Sequence, residues 1–134
     1  MPTGTSVMYA NSGGDPTANI GLYYYNANTI RYYIESTQGY YLCDWTHTIS
    51  QNDLNHMVMV YTSGSLKGYM NNVEVCADTS RNSRTAPETT TQTVIGMAAA
   101  KTVGFVGVID EVGRWTRGLT TGEISTLYNS GAGY

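Results

Sequence analysis

The chain has 134 residues, which is one domain's length, expected to span residues 1–134, and enough to bury roughly two-thirds of its unfolded surface. Only 13% of residues are charged, about half the usual share, while Gly (15) and Tyr (12) are abundant, a mix that favours strands and tight turns over long helices. Net charge is −3 with scattered cations (Arg31, Lys67, Arg81, Arg84, Lys101, Arg114, Arg117), and no apolar run nears the roughly 20 residues of a membrane span, so nucleic-acid binding and a spanning segment are not expected.

Residues 1–19 are polar and Gly-rich and read as loop, without the basic region and apolar core of a signal peptide. Residues 20–25 alternate, with Ile20, Leu22 and Tyr24 on one face and Gly21, Tyr23 and Tyr25 on the other. Asn26-Ala27-Asn28 is a turn signal. Residues 29–35 follow as a strand, with Ile30, Tyr32 and Ile34 facing in and Arg31, Tyr33 and Glu35 facing out, so the two segments read as a hairpin. Residues 36–39 turn the chain into a third strand over 40–45.

Residues 53–61 lead into a strand that is apolar on both faces, which predicts a central, fully covered position. Strands over 66–70 and 73–76 flank Asn71-Asn72, two residues that tolerate the positive φ of a type I′ hairpin. Residues 78–91 read as a surface loop, 93–97 as a strand and 98–101 as a short link. Residues 103–115 read as one long strand, or two joined by a bulge. Thr120 and Glu123 have capping-box spacing, Ile124, Leu127 and Tyr128 form one apolar face, and Gly131 marks the stop of a two-turn helix. About nine short strands at this spacing predict an all-β, two-sheet antiparallel sandwich.

Cys43 and Cys76 both fall at strand-like positions. A disulfide between them is geometrically possible and would suit an extracellular setting; the alternative is two buried thiols.

Three stretches carry a family resemblance. Leu54-Asn55-His56-Met57-Val58-Met59-Val60-Tyr61 comes first, and Gly68-Tyr69-Met70-Asn71-Asn72-Val73-Glu74-Val75 second. The third runs from Ile95-Gly96 through Phe105, Gly107 and Ile109-Asp110-Glu111-Val112 to Trp115, Leu119, Glu123-Ile124 and Leu127-Tyr128. In order and spacing these resemble laminin-G-like, concanavalin-A-like jelly-roll domains over about residues 20–131. Leu54 stands where the family usually has Trp, and Asn72 where it has Gly. The resemblance implies a jelly-roll sandwich with one short C-terminal helix and a structural role for Asp110, Glu111 and His56. The family's two opening strands are not evident in residues 1–19. This points to a smaller sandwich, or to an open sheet edge covered by a protein partner or a second copy.

Chemistry is sparse. Asp110 and Glu111 are adjacent, so on a strand they point to opposite faces and cannot share a scissile bond. No Cys/His spacing suggests zinc, and no nucleophile motif accompanies His47 or His56. Calcium is a common companion of the resembled domains, and Asp15, Asn19, Asp44 and Asp53 are the candidate oxygens. The tyrosines lead instead. Tyr23, Tyr25 and Tyr33, with Arg31 between them and Trp45 nearby, form a candidate ligand face, because aromatic rings stack on sugar C–H surfaces. The expected function is therefore non-catalytic binding or attachment, first of carbohydrate, by an extracellular, cell-surface or virion-associated module. The alternatives are a structural subunit, such as a virion decoration or fibre protein whose tyrosines meet a neighbour, and a glycan-processing enzyme.

Overall fold

A computed structural model describes residues 6–12, 19–26, 28–36, 39–47, 53–80, 92–97 and 104–132. Among the described residues, eight strands are β1 (Ser6–Ser12), β2 (Asn19–Asn26), β3 (Thr29–Ser36), β4 (Gly39–Thr46), β5 (Met57–Thr62), β6 (Ser65–Met70), β7 (Val73–Asp78) and β8 (Gln92–Ile95). They form a five-stranded sheet ordered β4-β3-β2-β1-β8 and a three-stranded sheet ordered β5-β6-β7. All pairings are antiparallel. Helix α1 (Thr121–Tyr128) closes the fold. This is an all-β jelly-roll sandwich with one short C-terminal helix.

The alternation of β3 drives the core. Ile30 and Tyr32 are fully buried and Ile34 nearly so, together with Tyr41 and Cys43 of β4 and Leu66 and Met70 of β6. Ile20, Leu22 and Tyr24 pack against them, as the period-2 pattern predicts. Gly68 is required at the centre. A Cβ there would sit 2.6 Å from the Tyr32 ring, which lies across the gap and donates its hydroxyl to the Tyr69 carbonyl at 3.0 Å. Cys43 and Cys76 are bonded, so the disulfide joins β4 of one sheet to β7 of the other. The Asp78 carboxylate accepts the Leu42 N–H at 3.1 Å, which lets a side chain of the second sheet cover part of the β4 edge.

The far side of the three-stranded sheet carries the helix. Val58, Val60 and Tyr69 pack on Ile124, which is 1% exposed, with Leu119 alongside. Gly118 brings the chain into contact with β5, because a Cβ there would meet the Thr62 methyl at 2.7 Å. Thr120 and Glu123 form the predicted capping box.

Five expectations change. Residues 6–12 form β1, which lies between β2, its neighbour in sequence, and the distant β8; its Ser-Val-Met-Tyr-Ala-Asn-Ser sequence offers little apolar alternation. β1 also supplies an N-terminal strand not expected from residues 1–19. β5 is an edge strand among the described residues, not a central one. Its two apolar faces are explained by the sandwich core on one side and the helix on the other. Residues 105–115 form no strand; among the described residues, a Met97–Gly104 bridge and a Phe105 N–H bond to the Gly96 carbonyl tie the segment's start to the end of β8. Asp110 and Glu111 are therefore not on a strand, and Glu111 takes positive φ (51°). The helix stops at Asn129, which is left-handed (φ 44°) and donates its N–H to the Ser125 carbonyl, two residues before Gly131. The hairpin prediction holds, since Asn71 and Asn72 have φ of 49° and 67° and Met70 pairs with Val73. The expected loop over 81–91, the link over 98–101 and Asp15 lie outside the described residues.

Candidate functional site: the outer face of the five-stranded sheet

Register brings the tyrosines together. Tyr23 of β2 opposes Arg31 of β3, which opposes Asp44 of β4; one row on, Gly21, Tyr33 and Leu42 align; at the next, Glu35 opposes Tyr40. Alternate residues of a strand share a face, so these side chains line the face turned away from the core.

Arg31 organises one end. Its Nε and Nη2 donate to Asp44 Oδ1 and Oδ2, each at 2.7 Å, a planar two-bond pairing. On β2, Tyr23 stands directly across from Arg31. The Tyr25 ring lies over the guanidinium, with Arg31 Cζ 3.7 Å from the ring centroid. The guanidinium therefore stays protonated, held mainly by the Asp44 hydrogen bonds against its partial burial. Burial pushes the Tyr23 hydroxyl up, partly offset by Arg31. Tyr25 itself is 46% exposed: one ring side rests on the cation and much of the residue meets solvent.

The other end is a tyrosine stack. Tyr33 and Tyr40 have ring centroids 6.0 Å apart at 30°. Tyr40 is 43% exposed. Burial and a hydrogen bond with Glu35 raise the Tyr33 hydroxyl.

Of the predicted site residues, Tyr23, Tyr25, Arg31 and Tyr33 share this face. Trp45 does not. It alternates with Asp44 and packs on the core side, its ring 5.1 Å from His47. Tyr40, Glu35 and Asp44 join the face without having been singled out for it. Their signal was available, because residues 40, 42 and 44 alternate with 41, 43 and 45, but only the register shows that they meet Tyr33 and Arg31.

His47 is 7% exposed among Tyr24 and Trp45, and neither ring nitrogen has a partner among the described residues. Burial pushes its pKa down.

Of the calcium candidates, Asp15 and the Asn19 side chain lie outside what is described. Both Asp44 oxygens are taken by Arg31, and no group of three or more His, Cys, Asp or Glu able to hold a metal occurs among the described residues. A second concavity, of about 420 Å³, lies between Trp115 and the helix, lined by Leu119, Thr126 and Leu127. Its carboxylate is committed: Glu123 pairs with Arg117 and accepts the Thr120 N–H, which hold its pKa down to about 2.

Residues 2–125 match the Laminin_G_3 family, described as the concanavalin A-like lectin/glucanases superfamily, and the chain belongs to that family. No curated protein matches it. Among solved structures, an S-layer domain-containing protein from Clostridium thermocellum ATCC 27405 (residues 221–444) is similar in fold, with a TM-score of 0.53 at 17% identity. The match covers 94% of this chain and 64% of that one. No helix among the described residues is long and apolar enough to cross a membrane.

Proposed function

We propose that the chain is a non-catalytic, surface-binding module that holds carbohydrate on the outer face of the five-stranded sheet. The observation that carries this is Tyr25, pinned on the Arg31 guanidinium while nearly half exposed, on the same face as the Tyr33–Tyr40 stack. A ring that is already immobile loses little entropy when a sugar ring stacks on it. The membership in a lectin/glucanase superfamily supports the ligand class. The non-catalytic reading is supported by how four of the carboxylates are used: Asp44 on Arg31, Glu74 on Lys67 and Tyr69, Asp78 on the Leu42 and Ser80 amides, and Glu123 on the Thr120 amide of its cap. An extracellular or cell-surface setting is supported by the disulfide. The similar fold of an S-layer domain-containing protein agrees with that setting.

The test is a broad glycan array with the purified chain, with and without calcium. A hit abolished by Tyr25→Ala or Tyr33→Ala supports the reading. A blank array in both conditions overturns it and turns the tyrosine face into an expected protein–protein interface.

A further inference from the structure

We infer that the ligand of this face is an uncharged polysaccharide chain, lying along the strands from Tyr25 to Tyr40, and that acidic glycans are excluded. The inference rests on the carbohydrate reading above and adds the class of sugar and its length.

Charge is the first argument. Among the described residues, Arg31 is the one cation that the register places on this face, against the carboxylates of Asp44 and Glu35. Arg31 is also spent. Two of its nitrogens are bonded to Asp44, its plane is covered by Tyr25, and its side chain is only 17% exposed. A sulfate or uronate reaching it would have to displace Asp44 from both of its hydrogen bonds. The Arg31–Asp44 pair cancels its own charge and Glu35 adds a negative one, so the face offers an acidic chain no available cation, while the hydroxyl groups of a neutral chain meet no such barrier.

Spacing is the second argument. Tyr25 rests on Arg31, and Tyr40 stands opposite Glu35, four residues further along β3. At strand rise this separates the two exposed rings by about 13 Å along the sheet. One pyranose ring cannot touch both. A chain of several sugar rings can, with the Tyr23 and Tyr33 rows of the sheet between them.

The experiment is native affinity electrophoresis of the whole chain through gels containing neutral glucan, mannan or galactan, or sulfated or uronate polymers, at low ionic strength. Retardation by at least one neutral polymer and by none of the acidic ones is expected. Tyr25→Ala and Tyr40→Ala should each weaken it about three- to tenfold, while Tyr25→Phe, which keeps the ring, retains it. The double variant E35Q/D44N removes both carboxylates and should gain retardation by acidic polymers. Circular dichroism confirms that each variant is folded. Retention of the wild type by acidic polymers alone, still lost in Tyr25→Ala, would overturn the neutral-chain inference and leave the carbohydrate reading standing. A free monosaccharide that competes as well as its oligosaccharide would overturn the length argument. No retardation by any polymer would overturn both readings.

Discussion

At the scale of the residue, the sandwich depends on one close approach. Tyr32 fills the space above Gly68 and is held there by its bond to the Tyr69 carbonyl, so its ring cannot retreat from an added methyl. Gly68→Ala should cost about 1–3 kcal/mol or more through overpacking, and Tyr32→Phe about 1 kcal/mol through the lost hydrogen bond. Urea midpoints measured at constant slope check both. His47 makes a second residue-scale prediction. Its folded pKa lies below the ordinary value of 6.5 because burial disfavours the imidazolium, and His56 is lowered the same way, with Glu111 opposing. The unfolded chain then binds the proton more tightly. Stability is complete above about pH 6.5 and falls as the pH drops below it. A melting temperature that declines on acidification, with a shallower decline in His47→Phe, is the expected result of a thermal pH series. The inward face of β3 was legible from alternation alone, since Ile30, Tyr32 and Ile34 are all buried. Gly68 was not, because nothing local marks a glycine that faces a ring from the opposite sheet.

Elements were legible where their signals are local. The Asn71-Asn72 hairpin and the Thr120–Glu123 capping box depend on residues within four positions of each other, and both form as read. β1 and the segment 105–115 differ from the sequence reading, β1 because its alternation is weak and one of its two partners, β8, is far along the chain. The segment 105–115 has an apolar sequence yet leaves Val106 89% exposed, because among the described residues pairing with β8 goes no further than the Met97–Gly104 bridge and its flanking hydrogen bond. β5 misled for a related reason: being apolar on both faces reports covered faces, not hydrogen-bonded neighbours. The candidate site shows the same division. Tyr23, Tyr25, Arg31 and Tyr33 lie within one local hairpin and were found, whereas Tyr40 and Asp44 needed the β3–β4 register. The helix attaches to β5 and β6 chiefly through Ile124. Ile124→Ala should therefore cost about 2–5 kcal/mol. In hydrogen exchange it should raise the rates of the helix amides before those of β3.

Across the whole molecule, the two sheets are joined by the core, by the Asp78 contact with the β4 edge and by the Cys43–Cys76 bond. The cysteines are 33 positions apart, so the bond removes a long loop from the unfolded chain. Loop-closure entropy puts its contribution at about 3–4 kcal/mol. Reduction, or a Cys43→Ser/Cys76→Ser double variant, should lower the denaturation midpoint by a corresponding amount and leave the far-ultraviolet spectrum strand-like. An unchanged midpoint would mean that the core alone fixes the sheets. With the sheets fixed in this way, the tyrosine face is a preorganised surface, and its location is the central claim. The most direct test is a heteronuclear NMR titration of the labelled chain with a neutral oligosaccharide selected on the array. Shift changes are predicted on β2, β3 and β4 around Tyr23, Tyr25, Tyr33 and Tyr40. Changes confined to the three-stranded sheet, to the Trp115 concavity or to the loops would contradict the account.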